Sequence, residues 1–202
     1  SLTQGVGFYL DDVQLFGDAS SRFGDLDRIE VLKGPQGVLY GGSNIGGAVK
    51  FISTRPSPDE TTGHIKLMAG EQSSTDVEGS INLPIGNEWA VRLFAFTRED
   101  DGFMYNPTTD DDSVAGYEES GGRISIAGPL SDNLSLYASL RSNQYDGPNN
   151  NWALERGTAP NFDYPYINDI ETPSNNDKET YGASLELLWE LDGFDVTSIT
   201  SY

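Results

Sequence analysis

Residues 25–56, DLDRIEVLKGPQGVLYGGSNIGGAVKFISTRP, decide how this chain is read. Ile29, Glu30, Val31 and Leu32 form a short β-run that Gly34 and Pro35 close, because proline cannot donate to a ladder and glycine relieves the bend. Six glycines then fall between Gly34 and Gly47, both ends counted. That density suits a backbone that turns repeatedly and packs closely, since glycine tolerates positive φ and has no side chain to clash. Ala48 resumes as a strand that runs to Ser53. Just before the first run, Asp25, Leu26 and Asp27 are predicted to open a brief helical turn with an acidic cap, and residues 36–40 another short turn.

Working outward, residues 7–16 carry Phe8, Leu10, Val13 and Leu15, interrupted by Asp11 and Asp12. That pattern predicts two short strands around a tight turn, and residues 18–24 are a mostly polar connection. IEVLKGPQGVLYG followed by GGAVKFISTRP resembles the C-terminal part of the plug domain of TonB-dependent outer-membrane receptors. GFYLDDVQL upstream is similar to the family's preceding plug strand. One departure is Lys33, where the family more often has arginine; lysine offers a point charge without the planar fork.

The 202 residues include 12 basic and 32 acidic side chains, a formal net charge of -20, which argues against a nucleic-acid partner. Cysteine is absent, which excludes disulfides, thiolate metal sites and cysteine nucleophiles within this sequence. No apolar run approaches the roughly 18 residues of a spanning helix. A membrane barrel stays open. The N-terminal SLTQGVGFYLDD lacks a basic region, an apolar core and a cleavage site, and the C-terminal FDVTSITSY stops inside a strand-like run. The expectation is an internal fragment of a longer protein.

From Ser57 the pattern becomes alternation. Val77, Ile81 and Leu83 oppose Asp76, Glu78, Ser80 and Asn82; Leu134, Leu136, Ala138 and Leu140 oppose Ser135, Tyr137, Ser139 and Arg141. Tyr181, Ala183, Leu185, Leu187, Trp189 and Leu191 oppose Gly182, Ser184, Glu186 and Glu190, with Leu188 breaking the pattern. Period two places such sets on opposite sides of a sheet. Weaker runs around Ile65, Leu67 and Ala69, around Trp89 to Ala95, at Ile124 and Ile126, and from Phe194 bring the total to about seven strands, near the 9 to 11 residues of a tilted membrane strand. Residues 84–88, 128–133 and 192–193 are short links, whereas 99–117 and 146–178 are long ones. With the first strand starting beside the plug-like part, the short links fall on one side and the long loops on the other, as in outer-membrane barrels. A soluble antiparallel sheet with one wet face shows the same alternation, so periodicity alone leaves both readings open.

GGSNIGGAVK, residues 41–50, satisfies neither phosphate-loop spacing, and Lys50 falls inside the following strand. His64 is the only histidine, and no G-x-S-x-G accompanies it, so a hydrolytic triad is not expected. Asp110, Asp111 and Asp112, with Glu99, Asp100 and Asp101, offer oxygen ligands to calcium, but an acidic run is more often a solvated loop and the EF-hand spacing is missing. Aromatics in or beside the long links, Tyr105, Tyr117, Trp152, Phe162, Tyr164 and Tyr166, are placed to stack on a ligand or to belong to loop cores and interface belts. Tyr105, Trp152, Tyr164 and Tyr166 are the ligand-contact candidates.

The expected fold is mainly β: residues 1–56 as the C-terminal part of a plug, a small mixed α/β unit, and 57–202 as the first antiparallel strands of a transmembrane barrel of about 22 strands. The resemblance implies a ligand-gated receptor of the bacterial outer membrane, energised by TonB and its inner-membrane complex, for uptake of a ferric siderophore or other iron chelate. Cobalamin or an oligosaccharide is the alternative cargo, and a soluble or surface β-rich binding protein the alternative class. It implies no catalysis and no cofactor. It also implies that Arg28, Glu30, Lys33, Gly34, Pro35, Gly37, Tyr40, Gly41, Gly46 and Gly47 form the plug motif, with charged members held by the barrel wall. The segment that touches TonB in the family precedes Ser1.

Overall fold

The structure, a computed structural model, describes residues 6–15, 23–35, 46–71, 73–106, 109–148 and 175–202. Among these residues the chain builds two sheets. The first holds β1 (Val6–Leu10), β2 (Val13–Gln14), β3 (Leu26–Lys33) and β4 (Gly47–Ser53), in the order β2-β1-β4-β3. β1 and β2 meet at the turn expected from the sequence, where Asp11 and Asp12 have φ of 48° and 65°. Aspartate tolerates this left-handed region because its short side chain bonds locally. The Asp11 carboxylate accepts the Ser53 N–H at 2.8 Å, a long-range bond that ties the turn to the end of β4.

β4 is central, parallel to β1 and antiparallel to β3. It therefore carries the small sheet's buried side chains, Ala48, Lys50 and Ser53, packed near Tyr9 and Leu10 of β1. A buried ammonium needs partners. Lys50 Nζ has Asp12 at 2.6 Å and Glu30 at 3.6 Å. The helical turn expected at residues 25–27 is not formed: Asp25 has φ of 54° and β3 begins at Leu26. Its carboxylate is drawn across to the second sheet instead of capping a helix, as described below. The described residues contain no helix, and residues 36–40 lie outside them.

The second sheet contains the seven strands expected: β5 (Thr62–Ala69), β6 (Thr75–Ile85), β7 (Trp89–Asn106), β8 (Asp111–Ser131), β9 (Leu134–Pro148), β10 (Asn175–Leu191) and β11 (Phe194–Ser201). They pair antiparallel in chain order, and the sheet is open. Short turns with Gly86 and Gly193 in the left-handed region join one set of ends. At the opposite ends, β5 and β6 close tightly through Gly70 N–H to Ser74 O at 2.8 Å.

Two expectations change here. β7 to β10 run for 18, 21, 15 and 17 residues, well beyond 9 to 11. The expected loop 99–117 is largely a paired hairpin, with register shifts around Gly102, Met104 and Asn106. Acidic residues there mark where the strands leave an apolar environment. They do not mark where the ladder stops, because an antiparallel pair tolerates two wet faces.

Registers align the side chains in rows. Ile81, Leu93, Ile124 and Leu140 lie opposite one another on β6 to β9 and are 39%, 39%, 47% and 60% exposed. The next row, Asn82, Arg92, Ser125 and Ser139, is buried. Apolar outside and polar inside reverses the burial of a soluble sheet. It is the arrangement of a wall whose outer solvent is lipid.

Candidate functional site

The small sheet meets the wall's polar face along a seam near the ends joined by short turns. Its centre is Asp25, whose side chain is 1% exposed. The left-handed backbone at Asp25 aims the carboxylate at β7 and β8. Arg92 donates to it from Nε at 2.8 Å and from a terminal nitrogen at 2.5 Å. Arg123 donates to the same carboxylate at 2.9 Å and to the Asp25 backbone carbonyl at 2.9 Å. Forked, charge-assisted bonds of this kind are both strong and directional. Arg92 also donates to Ser80 Oγ at 2.8 Å, and that oxygen lies 3.0 Å from His64 Nδ1. His64 thus joins the seam through the Ser80 hydroxyl, which it shares with Arg92.

One residue earlier, Gly24 lies against Phe94: a Cβ there would be 2.2 Å from the ring's Cζ. A second clasp holds the connection between the sheets. Arg55 donates to both Glu186 carboxylate oxygens at 2.9 and 2.6 Å, and its guanidinium stands 4.4 Å from the centroid of the Tyr137 ring. Glu186 thereby pushes the Arg55 guanidinium above its ordinary pKa, chiefly through that hydrogen bond. Leu188, the break in β10's alternation, faces inward and lines a cavity of about 320 Å³ with Arg55, Pro56 and Tyr137.

Residues 2–48 match the TonB-dependent receptor plug domain. The chain is 31% identical over 125 residues to the pesticin receptor of Yersinia pestis, covering 60% of this chain and 18% of that protein. It is 40% identical over 76 residues to the ferrioxamine receptor of Yersinia enterocolitica, covering 38% and 11%. The chain thus spans less than a fifth of the length of these relatives. Among solved structures, the ferric yersiniabactin uptake receptor of Yersinia pestis superimposes with a TM-score of 0.86 at 20% identity, over 98% of this chain and 31% of that one.

Within this plug-like segment, Arg28 pairs with Asp27 at 2.7 Å and Glu30 at 2.8 Å, all three on β3. Among the described residues, the ion pairs that the small sheet and its outgoing connection make to the wall come from Asp25 and Arg55. Lys33 and Pro35 are exposed. The Gly34 N–H donates to Gly46 O at 3.2 Å, closing the two flanks of the glycine-rich stretch. Gly47, at φ 143°, lies so close to β3 that a Cβ would sit 2.2 Å from the Leu32 carbonyl oxygen. Gly37, Tyr40 and Gly41 lie outside the described residues, as do Trp152, Tyr164 and Tyr166.

Tyr105 donates to Asp110 at 2.9 Å near the tip of the β7–β8 hairpin. The acidic residues there serve largely as local acceptors, with Asp100 taking the Gly102 N–H and Asp111 the Ser113 N–H. No group of three or more His, Cys, Asp or Glu among the described residues is arranged to hold a metal ion. The arginines that grip the plug were visible in the sequence only as members of polar phases, Arg92 among apolar neighbours and Arg123 before Ile124. Their partner could not be read, because Asp25 lies 67 and 98 residues away along the chain.

Proposed function

We propose that this chain is part of a ligand-gated, TonB-energised outer-membrane receptor that takes up a scarce solute, a ferric siderophore or other iron chelate. In this reading residues 1–56 are the C-terminal part of the plug and 57–202 the opening strands of the barrel. The observation that carries it is the Asp25 carboxylate held between Arg92 and Arg123, because it fastens a separate small sheet to the polar face of a wall whose other face is oily. A buried ion pair is a suitable latch. It is costly to break while dry, yet each partner regains hydration once water enters.

Force applied to the plug by TonB, powered through the inner-membrane complex, would part the clasp and admit water, and the wetted seam would then open further. The iron-chelate cargo draws support from relatives named for ferrioxamine and ferripyoverdine. Lipid surrounds the wall, nucleic acid is not a partner, and no reaction is assigned.

The test is radioiron uptake by cells that carry the complete receptor, supplied with ferrioxamine B or ferric yersiniabactin. Uptake of at least one chelate, lost on removal of TonB or on adding a protonophore, is the expected result. Uptake indifferent to both treatments, or uptake of neither chelate, would overturn the proposal.

A further inference from the structure

We infer that His64 is a proton-responsive positioning residue for the Asp25 latch: a proton on its imidazole tightens the wall's hold on the plug, and loss of that proton eases it. The inference rests on the reading of Asp25 as a latch between plug and wall, and adds to it a group that sets how firmly the latch closes. Asp25, Arg92, Ser80 and His64 form one hydrogen-bonded line. The terminal nitrogen of Arg92 that donates to Asp25 at 2.5 Å also donates to Ser80 Oγ at 2.8 Å, and Ser80 Oγ lies 3.0 Å from His64 Nδ1. His64 is the only histidine of the chain.

A guanidinium has only donors to offer, so Ser80 Oγ accepts from Arg92 and keeps its own hydrogen for the imidazole. In the neutral ring Nδ1 takes that hydrogen. In the charged ring both nitrogens carry hydrogens, and Nδ1–H donates to Oγ instead. The oxygen then serves Arg92 and His64 with its two lone pairs. The line therefore survives in both forms, and what changes is the charge at its outer end.

The charges around the seam give the sign. His64 stands in one row with Ser80, Phe94 and Arg123, and Arg123 and Arg92 both hold the Asp25 carboxylate. On one side of His64 the next row carries Lys66 and Glu78, which pair at 3.5 Å and largely cancel; on the other it carries the neutral Thr62 and Asn82. An imidazolium repels the two guanidiniums whether the plug is seated or displaced. Its attraction to the Asp25 carboxylate exists only while the plug is seated. The proton and the seated plug therefore favour each other. Histidine ordinarily changes charge between about pH 5 and 8, so the latch is tighter at the acid end of that window and looser at the alkaline end. His64 is exposed, and solvent screening holds the coupling to about threefold in the opening equilibrium.

The complete receptor, purified in detergent, supplies the test. Amide exchange across β3 and β4, corrected for the intrinsic exchange rate, is followed at about pH 5.5 and about pH 7.5. The wild-type receptor is expected to be about threefold better protected at the acid end. His64→Gln retains a hydrogen-bonding side chain without a titrating charge and is expected to abolish the difference. His64→Arg carries a fixed charge and is expected to match the acid wild type at both pH values. Asp25→Asn removes the carboxylate that the imidazolium attracts, and is expected to lower protection throughout and to leave no pH response. Equal protection of the wild type at both pH values, a difference that persists in His64→Gln, or a His64→Arg receptor that follows the alkaline wild type overturns the role of His64; lower protection in Asp25→Asn then leaves the latch standing. Unchanged protection in Asp25→Asn removes the latch and the role of His64 with it.

Discussion

Asp25 shows how much one side chain can decide. Its carboxylate is enclosed by two guanidiniums, so Asp25→Asn keeps the shape and strands two buried cations. Breaking a buried pair in this way costs about 3–5 kcal/mol. We expect faster hydrogen exchange across β3 and β4 in the complete receptor carrying that substitution. Arg28→Ala serves as the contrast: its partners are exposed neighbours on the same strand, and exchange across 29–47 is expected to stay unchanged. At the outer hairpin, the Ser113 hydroxyl and then the Ser113 N–H hold the Asp111 carboxyl below its ordinary pKa. A depressed carboxylate adds stability that is present above its unfolded value and lost as pH falls through the folded one. The hairpin tip is therefore expected to loosen in acid below about pH 4, and this acid loss to shrink in Ser113→Ala, which lacks the chief cause of the depression. Amide exchange near Asp111 across an acid series measures both.

The strands raise a different question, because their outer ends bring like charges into register. Glu99, Glu118, Asp146 and Asp177 lie opposite one another on β7, β8, β9 and β10. Like charges directly opposite destabilise a sheet. Glu118→Gln removes the repulsion on both of its sides and is expected to stabilise the receptor by a few tenths of a kcal/mol in dilute buffer. The gain should fade in about 1 M salt, where screening acts within a few ångströms. Denaturant melts at two ionic strengths test this. The same row explains why strand existence was legible and strand length was not. Alternation identified β6, β9 and β10 because lipid and lumen demand opposite side chains there. Beyond the apolar rows both faces are wet, so β7 and β8 continue through Glu99 and Glu118 with no periodic signal to mark it.

For the whole molecule, the governing fact is that the oily face points away from the plug. Leu140 lies in the outward apolar row with Ile81, Leu93 and Ile124, and the apolar band of an outer-membrane barrel is about 25 Å tall. Leu140→Lys in the complete receptor is expected to cost about 2–4 kcal/mol of folded stability in bilayers. Heat-modifiable mobility after refolding into vesicles reports it, and unchanged folding would deny that this face meets lipid.

What the amino-acid order determined by itself was local: the glycine-dense stretch that resembles a plug, the Asp11–Asp12 turn, and the two-residue period of the wall. Each rests on interactions between near neighbours in the chain, or on which solvent each face meets. The tertiary structure alone decided which charges hold plug to wall. A carboxylate at Asp25 can find guanidiniums on two other strands only after both sheets have formed, and no pattern in the sequence encodes that meeting.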